Sequence, residues 1–541
     1  MSIRLIEGQG AGREIGKPLA TGNIAVPEQR TFSFVDTSSL QQAIFEHWSQ
    51  GELEDWVDGE KVDFKSSRIV LGCLLSGRRI EEVNNYLLRQ KSSGTSGSRW
   101  LLNPNGGYNF NTMGYTPVLY LFNERPDLLY PATKEHLVHN ILTIEGDGFT
   151  RKVPKLSIQD TENHILMAES SRYLKNQWLW ENGEQSTEYD NKKNGVEEGL
   201  RNYLQEIYDY GMYEFNSAPY LGYSYSSLLI LNAFAKGEIK DQATKILDRL
   251  NWQYALSSYN FKHSPPYRRK FGDAYKTSIM DDYHTVMLKV FTSLYSDTLE
   301  ITIERGEHHA LFASMLPYRP ADKVVEWTLQ KPNPYFVKIG HGYNSCPGIY
   351  SGDKDYLISA GGANQGKRSL IMPKPIMLFL DDEATDIAET FHLYGPGEDF
   401  LDWNNTGVYI DFACTKGQVH IPEAKIPLLT VDNWQIFRIS NTTFLAVYSK
   451  NSLGILAIVR AETAEQTLEL VRENNSDEEL LQSQFSHPNG NFIEYDLDSA
   501  KDTWIIKSVN KKIVNRKFDL WPFFEGNIEE LKYTKEKISY R

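Results

Sequence analysis

Cysteine is scarce: the 541 residues contain three, Cys73, Cys346 and Cys414, far apart and odd in number. No Cys-x-x-Cys pair and no Cys/His metal spacing occurs, which speaks against a disulfide scaffold and a zinc module. His-Glu-x-x-His motifs and Asp-rich calcium loops are also missing, so neither a metal nor a cofactor is expected. Positive charge is in short supply, with 57 Lys and Arg against 71 Asp and Glu and a net charge of −14. That balance argues against general nucleic-acid binding, which needs basic patches to displace counterions. It also burdens a polyanionic ligand unless a local basic cleft exists. Tyr267-Arg268-Arg269-Lys270 is the best candidate for one, and a solvated basic loop accounts for it equally well. No hydrophobic run approaches the roughly 20 residues of a membrane span, so no membrane partner is expected. Met1-Ser2-Ile3-Arg4 leads into Gly-rich polar sequence without the apolar core of a signal peptide. The chain as given therefore reads as cytoplasmic, or as secreted or periplasmic if a signal has been removed. Nothing in the sequence sets its oligomeric state.

What is present fits a globular chain of two large domains: 40% hydrophobic and 24% charged residues over a length beyond the usual single core. Aromatics reach 12%, with 31 Tyr and 11 Trp, whose flat faces and polar edges suit sugar rings and ordinary cores alike. From about residue 38 to 300 the hydrophobic period is helical. Val196, Leu200, Tyr203, Leu204, Ile207 and Tyr208 follow the helical spacing, and Gly211 stands as a C-terminal stop. The same period recurs over Ile239–Tyr254 and Ile279–Leu294, and earlier helices are expected over 38–50, 66–76, 80–90, 112–123 and 132–144. Successive antiparallel helices joined by short and long loops suggest hairpins arranged in a ring. After about 300 the pattern changes to short β-rich segments at 335–340, 355–360, 376–380, 407–412, 443–448, 453–459 and 503–507, with one helix near Ala464–Arg472. The expected fold is α+β and multidomain: an arm over 1–30, an N-terminal (α/α) toroid over 31–305, and a C-terminal antiparallel β-sandwich over 306–541.

Three clusters could carry chemistry. Asp160-Thr161-Glu162-Asn163-His164 opens a helix, with Asp160 or Thr161 as cap. Asn163 and His164 then lie in a first turn, where the helix end favours a carboxylate or developing oxyanion. A capped turn facing water is the plain alternative. Met212–Tyr220, continuing through Tyr223 and Tyr225, packs Glu214, Asn216 and four tyrosines between two helices. That segment could equally be packing around a Pro turn. Asp281-Asp282-Tyr283-His284 reads first as an acidic N-terminal turn, while Gly340-His341-Gly342-Tyr343-Asn344 is a Gly-rich turn that could lend His341 or Asn344 to binding. His308-His309 reads as a solvated pair.

The Glu-Asn-His helix start, the Arg172-Tyr173-Leu174 turn, Glu214-Phe215-Asn216-Ser217 with Tyr220, and Gly107-Tyr108-Asn109-Phe110 together resemble the toroid portion of polysaccharide lyases, and the β half resembles the sandwich that follows it. The resemblance spans about 30–541 and is architectural. It implies an acidic oligo- or polysaccharide as substrate, cleaved by β-elimination. Asn163 or Asn216 would hold the uronate carboxylate, with His164 as base or second donor. Tyr220 or Tyr223 would be the acid/base tyrosine. Arg172 or Arg268 would lower the tyrosine pKa, although no arginine adjoins the tyrosines in sequence. Glu162, Glu214, Tyr225, Tyr283, His284 and His341 complete the binding candidates. Two other readings stand beside it. One is a glycoside hydrolase pairing Glu162 with Glu214 or Asp281; the other is a glycan-binding protein without catalysis.

Overall fold

The computed structural model describes residues 2–5, 30–33, 37–54, 65–91, 95–98, 103, 106–143, 150–153, 156–212, 216–218, 220–264, 278–280, 282–295, 301–303, 307–340, 347–361, 376–394, 404–500 and 502–527. The layout is α+β. Helices dominate as far as Leu329, and antiparallel sheets follow from Tyr335. The helices lie close to the spans expected from periodicity: Thr37–Ser49, Lys65–Ser76, Ile80–Arg89, Asn109–Leu121, Pro131–His136, Glu162–Glu181, Val196–Tyr210, Leu221–Phe234, Gly237–Ser257 and Tyr283–Tyr295. Two more, Glu307–Met315 and Asp322–Leu329, carry the helical part past residue 305.

Two kinds of helix alternate. Lys65–Ser76, Asn109–Leu121, Glu162–Glu181 and Leu221–Phe234 are buried around most of their circumference. Ile80–Arg89 and Val196–Tyr210 bury one stripe, in the latter Leu200, Tyr203, Leu204 and Ile207. Each aliphatic side chain of such a stripe contributes about 1.5–3 kcal/mol on burial. Gly211, at φ 74°, ends the Val196–Tyr210 helix with a left-handed residue that glycine adopts without strain. The enclosed helices pack in sequence. Lys65–Ser76 lies on Asn109–Leu121, that on Glu162–Glu181, and that on Leu221–Phe234. Leu221–Phe234 lies on Glu307–Met315, which returns to Lys65–Ser76 and Thr37–Ser49. At the first of these contacts Gly114 admits no side chain: a Cβ would sit 2.7 Å from Ser67 Cβ and 3.0 Å from Arg68 Nη1.

From Tyr335 onward the strands form a seven-stranded sheet, a six-stranded sheet and a four-stranded sheet, with neighbours antiparallel. The seven-stranded sheet runs Gln418–His420, Phe391–Tyr394, Ile376–Leu380, Tyr356–Gly361, Gly348–Gly352, Tyr335–Ile339, Phe524–Gly526. Both of its faces are buried, and successive residues alternate between them. Ile349, Ile358 and Leu378 share a core with Phe412, Ile436, Phe444 and Leu456 of the six-stranded sheet. Tyr350, Leu357, Met377 and Phe379 pack instead with Trp252, Leu256 and Trp327 from helices.

The chain divides into two compact units, each built from more than one segment. One unit comprises Met1–Tyr208, Tyr220–Leu250 and Val286–Ala321; the other comprises Asp209–Pro219, Asn251–Thr285 and Asp322–Arg541. Two strand expectations need correction. The stretch 407–412 is not one strand but a hairpin, Val408–Tyr409 pairing with Phe412–Lys416 around Ile410 at φ 48°. The last expected strand, 503–507, is shifted to Ile506–Val509: the backbone N–H of Ile505 goes to Thr406 Oγ1 at 3.2 Å rather than to a neighbouring strand, and the Trp504 indole donates to Thr406 O at 2.8 Å. The expected helix near 464–472 is present as Ala464–Glu473.

Candidate functional site

In the first unit, five of the packed helices bring their opening turns to one place. Arg68 is the fourth residue of its helix, Phe110 the second, and His164, Tyr223 and His309 each the third. Arg68 is fully buried and its Nη1 donates to Phe110 O at 2.6 Å and to Ser67 Oγ at 2.7 Å. Its guanidinium also lies 5.4 Å from the Phe312 ring centre. The Phe110 ring meets His164 edge-on at 5.2 Å and Tyr223 at 4.8 Å, and Tyr223 meets His309 at 4.8 Å. His309 holds Ser226 Oγ at 2.9 Å from Nδ1. The solvated reading of this histidine is overturned: it is 0% exposed, while the side chain of His308 lies outside the described residues.

His164 is the best-oriented base of the group. The Asn109 amide faces its Nδ1, nitrogen at 2.9 Å and oxygen at 3.3 Å. In the tautomer with the proton on Nδ1, that N–H donates to the Asn109 amide oxygen and Nε2 is the unprotonated, basic ring nitrogen. Beside it Asn163 is fully buried. Its Oδ1 accepts from Thr161 Oγ1 at 2.7 Å, while Nδ2 has no hydrogen-bond partner among the described residues. Thr161 occupies the cap position, and Asp160 accepts from Thr161 N and Ser98 Oγ, both at 2.8 Å. Each helix N-terminus carries a partial positive charge near +0.5, so five converging starts and one guanidinium make a setting that favours an anion.

The remaining candidates fall as follows. Glu162 is buried in the same first turn as His164. Arg172 lies two turns along and pairs with buried Glu169 at 3.1 Å. Tyr220 is half-buried at the cap of Leu221–Phe234, and its carbonyl accepts from Tyr223 N at 3.1 Å. Tyr225 is fully enclosed, 6.4 Å from the Phe291 ring. Asn216, Tyr283 and His284 belong to the second unit. There Asn216, at φ 50°, donates to Ser264 O at 3.3 Å, and Tyr283 N donates to Ala218 O at 3.1 Å. Glu214, Arg268, Asp281, His341 and Asn344 lie outside the described residues.

His284 sits in a second, fully buried polar group. Asp282 Oδ1 accepts from the backbone of His284 and Thr285 at 2.8 and 3.1 Å, as a helix cap does. Its Oδ2 lies 3.2 Å from His263 Nδ1, and His263 Nε2 lies 3.1 Å from Ser257 Oγ. The Ser-His-Asp order is that of a hydrolytic triad, yet Ser257 is 1% exposed and its hydroxyl donates to Gln253 O at 2.7 Å. A triad serine must donate to its histidine, and this hydroxyl donates to Gln253 O instead, so the group reads as structural. Burial pushes the His284 imidazole down to about 3, which keeps it neutral at ordinary pH.

Arg68, Ser226 and His309 were not singled out as site residues from the sequence, and Asn109 entered only through its Gly-Tyr-Asn-Phe context. The available signal was positional: each lies within, or one turn beyond, the start of a helix. Among the described residues no three His, Cys, Asp or Glu are grouped to hold a metal ion, and no helix is long and apolar enough to cross a membrane. Compared with known proteins, the chain matches no protein-family model and no curated sequence.

Proposed function

We propose that the chain is a polysaccharide lyase that cleaves uronate-containing glycans by β-elimination on an (α/α) toroid, followed by a β-sandwich. The circuit of enclosed helices, each packing on the next and the last on the first, supports the toroid. The buried core shared by two antiparallel sheets supports the sandwich. The function rests on one observation: the opening turns of the circuit meet at Asn109, His164, Tyr223 and His309. Converging helix starts and the Asn163 amide favour a uronate carboxylate, and holding that group acidifies the adjacent C–H. His164 takes the proton through Nε2, the nitrogen that Asn109 does not hold. Electrons of the broken C–H bond form the double bond as the C–O bond to the leaving sugar breaks. A phenol returns a proton to the leaving oxygen. Tyr220 is the better acid on exposure, being half-buried where Tyr223 is enclosed.

The test is a screen of polyuronates followed by near-ultraviolet absorbance of the unsaturated product. His164→Ala and Tyr220→Phe should each lower the rate by about a hundredfold or more with folding retained. Absorbance that never rises on any polyuronate, or variants as active as the parent, would remove the reading. Glu162 favours the hydrolase alternative by being a buried carboxyl in the same turn. Reducing-end release without absorbance, abolished by Glu162→Gln, would select it.

A further inference from the structure

The Glu162–Glu181 helix has chemistry at both ends. Trp180 lies 16 residues beyond His164 on it, about 24 Å away at the helical rise of 1.5 Å per residue. Around Trp180 opens a cavity of about 660 Å³, walled by Tyr173, Tyr189, Gln177, Arg201 and Glu197 and all within the first unit. Its volume falls in the range that encloses small ligands. The loop that closes one side is built rather than loose. Buried Asn191 donates to Tyr173 O at 2.8 Å and accepts from Asn176 Nδ2 at 2.9 Å, which ties the loop to the helix.

The wall chemistry selects the class of ligand. Trp180 and Tyr189 are both partly exposed, and each ring has a lysine near it, Lys193 Nζ at 5.9 Å and Lys175 Nζ at 5.8 Å. Such rings are preset platforms for the apolar faces of sugar rings. The ionic groups are largely spent on each other: Lys236 pairs with Glu181 at 2.6 Å and Arg201 approaches Glu238 at 3.7 Å. Asp190 pairs with Lys193 at 3.1 Å, and Lys192 and Glu197 add one charge of each sign, so the lining offers hydrogen bonds in many directions while its charges nearly balance. Gln177 adds a polar group, its Nε2 donating to Phe234 O and Tyr120 while buried Oε1 has no partner among the described residues. Aromatic platforms, amides and neutralised charges in one concavity suit a ligand rich in hydroxyls and without charge.

We infer that this cavity is a second carbohydrate site, separate from the His164 cluster, that takes a neutral oligosaccharide. It needs no catalysis at His164 and stands whether or not the lyase reading does.

Titration of the full-length protein with cello-, xylo-, manno- and maltohexaose, followed by calorimetry and tryptophan fluorescence, tests it. At least one should bind with a dissociation constant below about 10 mM, the weak range of a shallow site. Trp180→Ala and Tyr189→Ala should each weaken that binding by tenfold or more, with unchanged circular dichroism, and His164→Ala should leave it intact. Tyr189→Ala decides the matter if Trp180→Ala fails to fold. No binding by any of the four, or binding that survives both aromatic substitutions, overturns the site. Binding lost in His164→Ala alone would move it to the helix-start cluster and overturn it equally.

Discussion

Lys331 tests whether burial or helix-end electrostatics governs a charge in the second unit. Its side chain is 4% exposed, and Nζ donates to Ala255 O at 2.5 Å and Trp327 O at 2.7 Å. Those carbonyls belong to the last turns of Gly237–Ser257 and Asp322–Leu329. Two helix C-termini favour a cation by about 0.3–1 kcal/mol each, and up to about 2 where partly buried. Desolvation opposes them and wins, pushing the ammonium down from 10.5 to about 7. At 1.36 kcal/mol per pKa unit this is a penalty on the order of 5 kcal/mol for the charged form. The sign follows from proton counting. Between about pH 7 and 10.5 the unfolded chain holds a proton that the folded chain has released, so stability rises with pH. The penalty is fully present below about 7 and is gone above 10.5. Lys331→Met keeps most of the apolar stem and removes the ionisable group. The lost hydrogen bonds and imperfect packing add a cost of about 1–3 kcal/mol that varies little with pH. Relative to the parent, the variant should therefore be most favourable near pH 6 and lose ground by about 1.4 kcal/mol per unit above 7. Urea unfolding of both proteins at four pH values from 6 to 9.5 measures the difference. His284 and His392, both pushed down to about 3 by burial, steepen acid unfolding in both proteins and cancel in the comparison. A stability difference that is flat with pH would show that the carbonyls and helix ends fully repay desolvation, and the reasoning would fail.

Two further perturbations address packing and strain. Gly114→Ala forces a Cβ against Ser67 and Arg68, so it should cost about 1–3 kcal/mol in thermal or urea unfolding. It should also reduce activity on any substrate the helix-start cluster proves to turn over, since Arg68 anchors Phe110. Ile410→Asn replaces a β-branched residue at φ 48° with one that tolerates the left-handed region, and should raise stability by about 1 kcal/mol. A loss of stability in that variant would mean that the half-buried Ile410 side chain contributes more by packing than its backbone costs.

Helix positions were legible because each carries its own local period. Val196–Tyr210 and Gly237–Ser257 lie where the apolar spacing put them, and the left-handed Gly211 marks a stop by its own stereochemistry. The strands were legible only where apolar runs were long. Gly348–Gly352 was missed because Gly-Ile-Tyr-Ser-Gly is buried on both faces and shows no alternation in composition, although Ile349 and Tyr350 enter opposite cores. The stretch 407–412 reads as one strand because the turn that splits it uses Ile410, where the usual signal would be Asn or Gly.

The candidate site was harder to read for a different reason, which bears on its chemistry. Arg68 and His309 are separated by 241 positions, and each sits in a polar first turn indistinguishable from a solvated helix start. Only the return of Glu307–Met315 onto Lys65–Ser76 encloses those turns. Enclosure changes what the same residues do. An exposed His309 would exchange protons with water, whereas the buried one is held by Ser226 and packed on Tyr223. Likewise Arg68 in solvent would be a mobile charge, but at 0% exposure its guanidinium is committed to Phe110 O and the Phe312 face. Low dielectric strengthens each of these contacts and makes any unmatched charge costly. Such a setting therefore admits an anion only if the anion completes the hydrogen bonding. That requirement selects a carboxylate reaching the Asn163 amide over a bare ion left in solvent, and it links the enclosure of these helix starts to the proposed chemistry.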